Sequence, residues 1–407
     1  MSNLANSAIR QYMVVTGNYW AFTLTDGALR MLVVLHFHQL GYGALSIALL
    51  FLFYEFFGVV TNLFGGWLGA RIGLNKTMNI GLSLQIIALL MLTLPTDYLS
   101  MAWVMAAQAL SGIAKDLNKM SAKSAIKSLV DESAKSTLFK WVAILTGSKN
   151  ALKGVGFFLG GALLHLVGFQ GAMWIMLVGL IIILSCSLIL LKKSLGVSKS
   201  KPKFAEIFST NQAINILSAA RMFLFASRDI WFVVALPVYL SETIGWDFWI
   251  VGSVMAGWVI MYGFIQSIAP SITGKKSKTP PSGRSAALWA GILCFIPALF
   301  ALSLGTNEVW ILLAGLGIFG AVFALNSSLH SYLIVSYARK DGTSLDVGFY
   351  YMANAMGRLI GTVLSGAVFQ LWGLETCLYF SSLMLLIAAI ISLWLPKEAT
   401  TQPTASV

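Results

Sequence analysis

Residues 139–166 read FKWVAILTGSKNALKGVGFFLGGALLHL, an apolar run long enough to cross the hydrocarbon core of a bilayer as a helix. Near its middle stand Lys149 and Lys153, which are four residues apart and therefore share one face of that helix. An unpaired charge near the middle of a membrane is costly, so charged residues at this depth generally indicate a functional site. The stretch predicts a membrane-spanning helix whose lysines meet a negatively charged group.

The composition of the whole chain agrees with a membrane protein. Hydrophobic residues make up 58% of the 407 residues, charged residues only 10%, and the mean hydropathy is +0.81. The net charge of +12 does not indicate nucleic-acid binding here, because basic residues also set membrane topology. Cys186, Cys294 and Cys377 are isolated in apolar segments, which excludes a disulfide framework and a local thiolate metal site. Residues 1–10 lack the features of a signal peptide, so the first span is expected to remain in the mature protein.

Apolar runs of membrane-spanning length recur twelve times along the chain. Their approximate ranges are 12–38, 45–70, 77–95, 101–127, 138–166, 170–191, 213–240, 248–272, 285–304, 309–335, 347–372 and 374–395. The loops at 39–44, 96–100, 167–169, 241–247, 305–308 and 373 hold no Lys or Arg, whereas the loops on the other side are basic. By the positive-inside rule, both termini are cytoplasmic.

The chain divides into two related halves. The longest polar interruption predicts a cytoplasmic linker at 192–212 between halves at 1–191 and 213–396, with a cytoplasmic tail at 397–407. At an offset of 205 residues, span 5 repeats in span 11: Gly156, Gly161 and Gly168 fall on Gly361, Gly366 and Gly373, and Lys153 falls on Arg358. The prediction is an all-α membrane protein with twelve transmembrane helices in two pseudo-symmetric six-helix halves and a site between them near the midplane.

The loop between spans 2 and 3 supports this fold. Residues 65–76 read GGWLGARIGLNK and resemble the glycine-rich, basic signature of the major facilitator superfamily. The position that is acidic in that signature is Ala70 here. The charge pair that usually steadies the outward-facing state is therefore not available in its usual form.

Charged residues form a belt near the predicted midplane, and bases outnumber acids in it by eight to four. The bases are Arg30, Lys115, Lys119, Lys149, Lys153, Arg221, Arg228 and Arg358, and the acids are Asp26, Glu55, Asp116 and Asp229. Purely structural ion pairs would come out near neutral, and unpaired cations in a low-dielectric site are costly. A substrate that carries several negative charges resolves the excess.

The candidate site follows from this belt. The predicted substrate-binding residues are the eight bases together with Asn118 and Asn150, and the proton-coupling candidates are Asp26, Glu55 and Asp229. No metal site, cofactor or nucleophile–base arrangement is predicted, which argues against an enzyme.

Several of these residues have a structural alternative. Asp26 and Arg30 at i, i+4 are spaced to neutralise each other, and Glu55 has the option of pairing with a base. Arg228 and Asp229 are adjacent and point in different directions, which argues against local pairing. Lys123 is expected to reach the cytoplasmic interface with its amine rather than to bind substrate.

Four longer runs carry a resemblance to a known family. They are GNYWAFTLTDGALR at 17–30, KDLNKMSAK at 115–123, TGSKNALKGVG at 146–156 and SAARMFLFASRD at 218–229. They resemble the organoarsenical-efflux permeases of the major facilitator superfamily, and the resemblance covers nearly the whole chain up to about residue 397.

This resemblance implies a monomeric exporter of 1-arseno-3-phosphoglycerate in a bacterial inner membrane, and the superfamily suggests proton antiport. Its functional partner is glyceraldehyde-3-phosphate dehydrogenase, which makes the ester when arsenate replaces phosphate. The scattered cysteines agree, since a pentavalent arsenate ester requires oxyanion recognition rather than clustered thiolates. The alternative is an organophosphate or inorganic phosphate/arsenate antiporter.

Overall fold

The computed structural model describes residues 2–42, 50–130, 135–191, 209, 211–233, 235–246, 248–273, 281–304, 309–339 and 342–396. Within these ranges the chain is helical and contains no strand. The predicted linker and tail fall almost entirely on 192–208 and 397–407, outside the described residues, so the half boundaries stay predictions. Seven helical runs of the described chain are long and apolar enough to cross a membrane, and two of these exceed 50 residues.

The first half contributes six spans. They are α1 (Ser2–Gln39), α2 (Leu52–Ile72), α3 (Leu74–Met91), α4 (Met101–Leu129) and the run Lys135–Leu190, which a break at Gly168 divides into α5 (135–167) and α6 (169–190). A short 3₁₀ turn, Thr96–Tyr98, joins α3 to α4.

The second half repeats this order. Its spans are α7 (Gln212–Phe232, continued by Ala235–Glu242), α8 (Phe248–Thr273), α9 (Gly283–Ser303), α10 (Val309–Tyr337) and the run Thr343–Leu393, which Gly373 divides into α11 (343–372) and α12 (374–393). The predicted all-α fold of twelve spans is confirmed.

The two helix breaks occupy equivalent positions of the repeat. Gly168 has φ 71° and ψ 179°, and Gly373, 205 residues later, has φ 76° and ψ −177°. This backbone region is essentially restricted to glycine. The same sharp turn therefore follows the fifth span of each half.

The halves cross each other where glycines allow close approach. A Cβ built on Gly348 of α11 would lie 2.6 Å from the Asn62 carbonyl oxygen and 2.8 Å from the Gly66 Cα of α2. A Cβ on Gly263 of α8 would lie 2.6 Å from the Gly147 carbonyl oxygen of α5. Backbone atoms cannot give way as a flexible side chain can, so both crossings require glycine.

The bundle is closed at one end. We call the end that holds the start of α1, the end of α4, the start of α5 and the end of α12 the terminal end. There, Lys127 Nζ donates to the Ser336 carbonyl at 3.1 Å, the rings of Phe139 and Tyr332 lie 5.0 Å apart, and one apolar cluster draws on both halves. Towards the opposite end each half has an apolar cluster of its own. Among the described residues no apolar cluster joins the halves at that end, so the described helices leave the space between the halves open there.

Ala70 stands at the end of α2, where the superfamily signature has an acidic residue. An acidic residue is present instead at the start of α11. Ala70 is buried, and α11 begins after Gly342, whose φ is 103°. In the first turn of α11, Asp346 accepts from the Arg339 backbone N–H at 2.9 Å and from its guanidinium at 3.0 and 3.2 Å. A carboxylate at a helix N-terminus is favourable to the helix dipole.

Candidate functional site

Charged side chains of both halves meet at mid-bundle, on the floor of the open space. We call this group the central cluster. Its members are Arg30, Glu55, Lys115, Asp116, Lys119, Lys149, Lys153, Arg228, Asp229 and Arg358.

Glu55 of α2 joins the two halves. Its Oε1 lies 3.4 Å from Arg30 Nη2 of α1 and 3.5 Å from Arg358 Nη2 of α11, and its Oε2 lies 4.0 Å from Lys115 Nζ. The side chains of Arg30, Glu55 and Arg358 are 30%, 34% and 35% exposed, so they face the open space rather than the packed interior. One carboxylate is thus shared by three bases at a position that a ligand can reach.

Asp229 of α7 is fully buried and anchors two arginines. Its Oδ1 lies 2.5 Å from Arg228 Nη2, and its Oδ2 accepts from Arg358 Nε at 3.2 Å. The expectation that the adjacent Arg228 and Asp229 do not pair locally is therefore wrong. Adjacent side chains leave a helix in different directions, but the long arginine side chain reaches back to its neighbour.

Asp116 of α4 is the third acid of the cluster. It pairs with Lys119 one turn away and lies 3.7 Å from Lys115 Nζ. A Cβ built on Gly58 of α2 would lie 2.9 Å from Asp116 Oδ2, so this glycine leaves room for the carboxylate.

Asp26 has a neutral partner. The hydroxyl of Tyr54 donates to its Oδ1 at 2.7 Å, while Arg30 pairs with Glu55 instead. The alternative in which Asp26 and Arg30 neutralise each other is therefore not the arrangement in the structure. The alternative in which Glu55 pairs with a base is confirmed.

Lys149 and Lys153 are different from the other bases of the cluster. Among the described residues, no carboxylate lies within ion-pair distance of either amine. The charges with the largest effect on Lys149 are those of Lys153, Lys119, Arg358 and Lys115, all of them basic. Lys153 lies near Arg30 and Asp26, where its backbone carbonyl packs against Gly27 of α1. Two positive charges are left without a direct counter-ion at the open space.

The other candidates have neutral partners. Arg221 is 3% exposed and donates to the Asn354 side chain at 2.8 Å and to the Ser327 hydroxyl at 3.1 Å. Asn150 donates to Gln266 of α8 at 2.6 Å and so links the two halves. Asn118 donates to its own helix at 2.9 Å and packs against α3 rather than against the central cluster.

Lys123 does not reach the membrane surface. Its side chain is buried, at 3% exposure, and its amine lies 5.1 Å from the centre of the Tyr351 ring. The expected interfacial position of this amine is therefore wrong, because α11 of the other half covers it at the closed terminal end.

Aromatic rings line the bases, which the sequence analysis did not identify. Lys115 Nζ lies 3.8 Å from the centre of the Tyr54 ring, and Lys119 Nζ lies 4.5 Å from that of Tyr351. The Cζ of Arg228 lies 4.8 Å from the ring centre of Phe225. Cation–π contacts stabilise the charged form of a base without neutralising it. The rings hold the bases in place and leave their charge for a ligand.

The central cluster presents many basic groups and few acidic ones. The described residues contain no group of three or more His, Cys, Asp or Glu side chains that is suited to a metal ion. The three cysteines are not bonded to each other and lie at exposed, intermediate and buried positions. The chemistry on offer is that of guanidinium and ammonium groups converging on an anion.

Two helical halves that share a charged mid-membrane site define a membrane transporter of the alternating-access class. The sequence matches the family model of the Major Facilitator Superfamily at residues 15–341 and again at residues 217–406. The chain belongs to this superfamily. The comparison with curated proteins gives no match.

Solved structures share the fold at low sequence identity. The human organic anion transporter MFSD10 (TETRAN) has a TM-score of 0.74 and 15% identity, and the match covers 95% of this chain and 99% of that one. The E. coli fucose:proton symporter FucP has a TM-score of 0.76 and 10% identity, with 96% and 100% covered. A bacterial homologue of the iron transporter ferroportin in an outward-facing state has a TM-score of 0.73 and 15% identity, with 94% and 98% covered.

Proposed function

We propose that the protein exports a small organic polyanion, 1-arseno-3-phosphoglycerate, and so removes arsenate from the cell. The observation that carries the proposal is the excess of bases at the open mid-membrane site, where Lys149 and Lys153 have no carboxylate partner among the described residues. A buried base without a counter-ion is costly, so an anionic substrate is the natural partner of both lysines.

The number and type of bases suit a substrate with two oxyanion groups. Arginine binds phosphate-like groups through two parallel hydrogen bonds, and lysine supplies a compact charge. Arg30 and Arg358 approach the same point from opposite halves, and Lys149 and Lys153 lie on α5 beside them. The pair Arg30 and Arg358 suffices for one of the two groups, phosphate or arsenate, and the pair Lys149 and Lys153 suffices for the other.

The repeat supplies the asymmetry that such a substrate requires. Lys153 corresponds to Arg358, whereas Lys149 corresponds to the neutral Asn354, whose side chain accepts from Arg221 in the second half. At this pair of equivalent positions the two halves therefore differ by one charge, which favours one orientation of a molecule with two unlike ends.

In the empty carrier, Glu55 takes the place of one oxyanion of the substrate. Its carboxylate occupies the point between Arg30 and Arg358 at which we place one oxyanion of the substrate. A bound anion and Glu55 compete for the same guanidinium groups, so binding displaces the carboxylate and favours its protonation. Among the three acidic candidates, Glu55 is the best placed to couple a proton to transport.

The side on which the space between the halves is open agrees with the state in which an exporter releases its substrate. If the termini are cytoplasmic, as the charge of the loops predicts, the open space faces outward. We propose a bacterial inner membrane as the location and a carrier, not an enzyme, as the class. The solved structures with this fold differ in the substrates that their names state, so the proposal of a polyanion rests on the charges of the site and not on the fold.

The experiment expresses the chain in arsenate-sensitive bacteria with and without an arsenate-accepting glyceraldehyde-3-phosphate dehydrogenase and measures cellular arsenic. The proposal expects lower accumulation only when both proteins are present. Resistance without the dehydrogenase would instead support the alternative, an inorganic phosphate/arsenate antiporter. Exchange of 3-phosphoglycerate without any effect on arsenic would support the organophosphate antiporter.

A further inference from the structure

We propose that Lys123, Arg221 and His330 form a second anion site, which captures the substrate when the terminal end opens. We call these three residues the capture site. The inference rests on the proposed export of an organic polyanion, because it assigns the first contact of that substrate with the carrier.

The three side chains come from different helices and are deeply buried. Lys123 of α4 and Arg221 of α7 are each 3% exposed, and His330 of α10 is 1% exposed. Arg221 acts electrostatically on both Lys123 and His330, so the three groups are neighbours.

The group is basic throughout. The charged groups that act on Lys123 are Arg221, Lys149 and Lys119, and none of them is acidic. Within the described chain Lys123 forms no ion pair, and the side-chain partners of Arg221 are neutral. A positive charge held in this way is costly unless another state of the protein supplies an anion.

Unpartnered polar atoms surround these bases. Both ring nitrogens of His330, both side-chain polar atoms of Asn326 and the hydroxyl of Tyr350 are buried without a hydrogen-bond partner. Arg221 lies 5.4 Å from the centre of the Tyr350 ring and donates to Ser327, the neighbour of Asn326. A buried polar group without a partner costs about 1–3 kcal/mol. Several such groups at one place indicate a surface that water or a ligand covers in another state.

The capture site is separate from the central cluster. Lys123 is eight residues beyond Lys115 on α4, which is about 12 Å along the helix. Arg221 is seven residues before Arg228 on α7, or about 10 Å. Both displacements run towards the terminal end, one in each half. Lys119 lies between the two sites, because it interacts with Asp116 on one side and acts on Lys123 on the other.

Two tyrosines of α11 close the capture site in the present state. The rings of Tyr350 and Tyr351 lie 5.0 Å apart, and the Tyr351 ring contacts the amines of both Lys119 and Lys123. Both tyrosines belong to the apolar cluster that seals the terminal end. Opening this end moves α11 away from α4 and exposes the bases to the cytoplasm.

The ligand class is a multiply charged oxyanion. A guanidinium, an ammonium and an imidazole with free nitrogens offer donors in several directions, and the neighbouring amide and hydroxyl add neutral donors. Such a set suits the phosphate or arsenate group of the substrate before it moves to the central cluster.

The test measures affinity at each face of the membrane separately. Everted vesicles present the cytoplasmic face, and right-side-out vesicles present the outer face. In both preparations we would determine the concentration of 3-phosphoglycerate that halves the exchange of the labelled arsenical. Lys123→Met is expected to raise this concentration about tenfold or more at the cytoplasmic face only. Lys140→Met, at an exposed lysine of α5, is the control and is expected to behave as the wild type.

An equal rise at both faces, or no rise at either, would overturn the capture site. If the wild type exchanges no arsenical, the proposed function fails, and the capture site is then tested on the purified protein. Stabilisation against heat by inorganic phosphate that is lost in Lys123→Met supports the site, and the same result for both proteins rejects it. Melting in the absence of anion shows whether the variant is folded.

Discussion

At the scale of the residue, the bases of the central cluster fall into those that have a carboxylate partner and those that have none among the described residues. Arg30, Lys115 and Arg358 share the carboxylate of Glu55, whereas Lys149 forms no ion pair among the described residues. Removing one member of a buried ion pair leaves an uncompensated charge behind. Removing an unpaired lysine leaves no uncompensated charge behind. Substitution of such a lysine is therefore expected to impair function without lowering stability.

Substitution of Lys153 separates them directly. Lys153→Ala is expected to abolish efflux without lowering the melting temperature, because no ion pair is lost. Arg358→Ala is expected to abolish efflux and also to lower the melting temperature, because Glu55 and Asp229 each lose a partner. Efflux assays and thermal unfolding of the purified variants check both statements. Lys140→Ala is the control, and normal efflux by both site variants would mean that the central cluster is structural.

Substitution of Glu55 tests its role in the empty carrier. Glu55→Gln removes the charge that competes with the substrate, so the affinity for 3-phosphoglycerate is expected to rise about tenfold, or by about 1.4 kcal/mol. Efflux is expected to slow, because the empty site no longer holds an anion of its own. Calorimetric titration and efflux rates measure the two effects. Glu375→Gln, at an exposed carboxylate of α12, is the control, and a weaker affinity in Glu55→Gln would contradict the mechanism.

The identity of the bases was predictable from the sequence, but their partners were not. A charged residue inside an apolar run is visible in one sequence. Whether Arg30 pairs with Asp26, one turn away, or with Glu55, 25 residues away, depends on which helices touch. The aromatic rings gave no signal either, because Tyr and Phe are ordinary residues of membrane helices.

At the scale of the helix, glycines decide where the halves approach each other. α2 meets α11 at Gly66 and Gly348, and α5 meets α8 at Gly147 and Gly263. A Cβ built on Gly66, Gly348 or Gly263 would meet backbone atoms first, and one built on Gly147 would first meet the Ser267 hydroxyl. These crossings, on the closed side of the bundle, set how tightly the terminal end can shut.

Gly348→Ala is expected to favour the state that is open at the terminal end. The new Cβ would meet the backbone of Asn62 and Gly66, and forced overpacking of this kind costs about 1–3 kcal/mol. A cysteine at the buried Ser331 then reports the opening through its reaction with a maleimide added at the cytoplasmic face. The rate of labelling is expected to rise at least about fivefold.

The control for this variant lies on the same helix. A Cβ on Gly366 meets nothing within 4 Å, so Gly366→Ala is expected to leave the labelling rate unchanged. The native cysteines are replaced beforehand to remove background labelling. Equal rates for Gly348→Ala and the parent protein would mean that the crossing does not limit closure.

The helices themselves followed from the apolar runs, with two differences. α1 begins at Ser2, ten residues before the predicted span. The predicted span 213–240 consists of two helical pieces, Gln212–Phe232 and Ala235–Glu242. Pro237 explains the second difference, since it has no N–H to donate to the carbonyl of Val233.

At the scale of the whole molecule, the repeat predicted the architecture but not the state. An offset of 205 residues places Gly168 and Gly373 at the same turn, and the structure has the same backbone angles at both. A repeat describes two equal halves, however, and does not say at which end they meet. That choice depends on the packing of side chains such as Phe139 against Tyr332, which comes from opposite halves and has no local pattern.

The excess of positive charge at the central cluster also ties transport to the membrane voltage. In the proposed orientation, the empty site faces outward with seven bases and three acids, and the interior of the cell is electrically negative. Each elementary charge that reorientation carries through 100 mV changes the free energy by about 2.3 kcal/mol. The voltage therefore draws the empty carrier back towards the cytoplasm, whereas a bound polyanion cancels the charge and frees the loaded carrier to turn outward. The membrane voltage alone would thus return the empty carrier to the state that faces the cytoplasm, without a coupled proton.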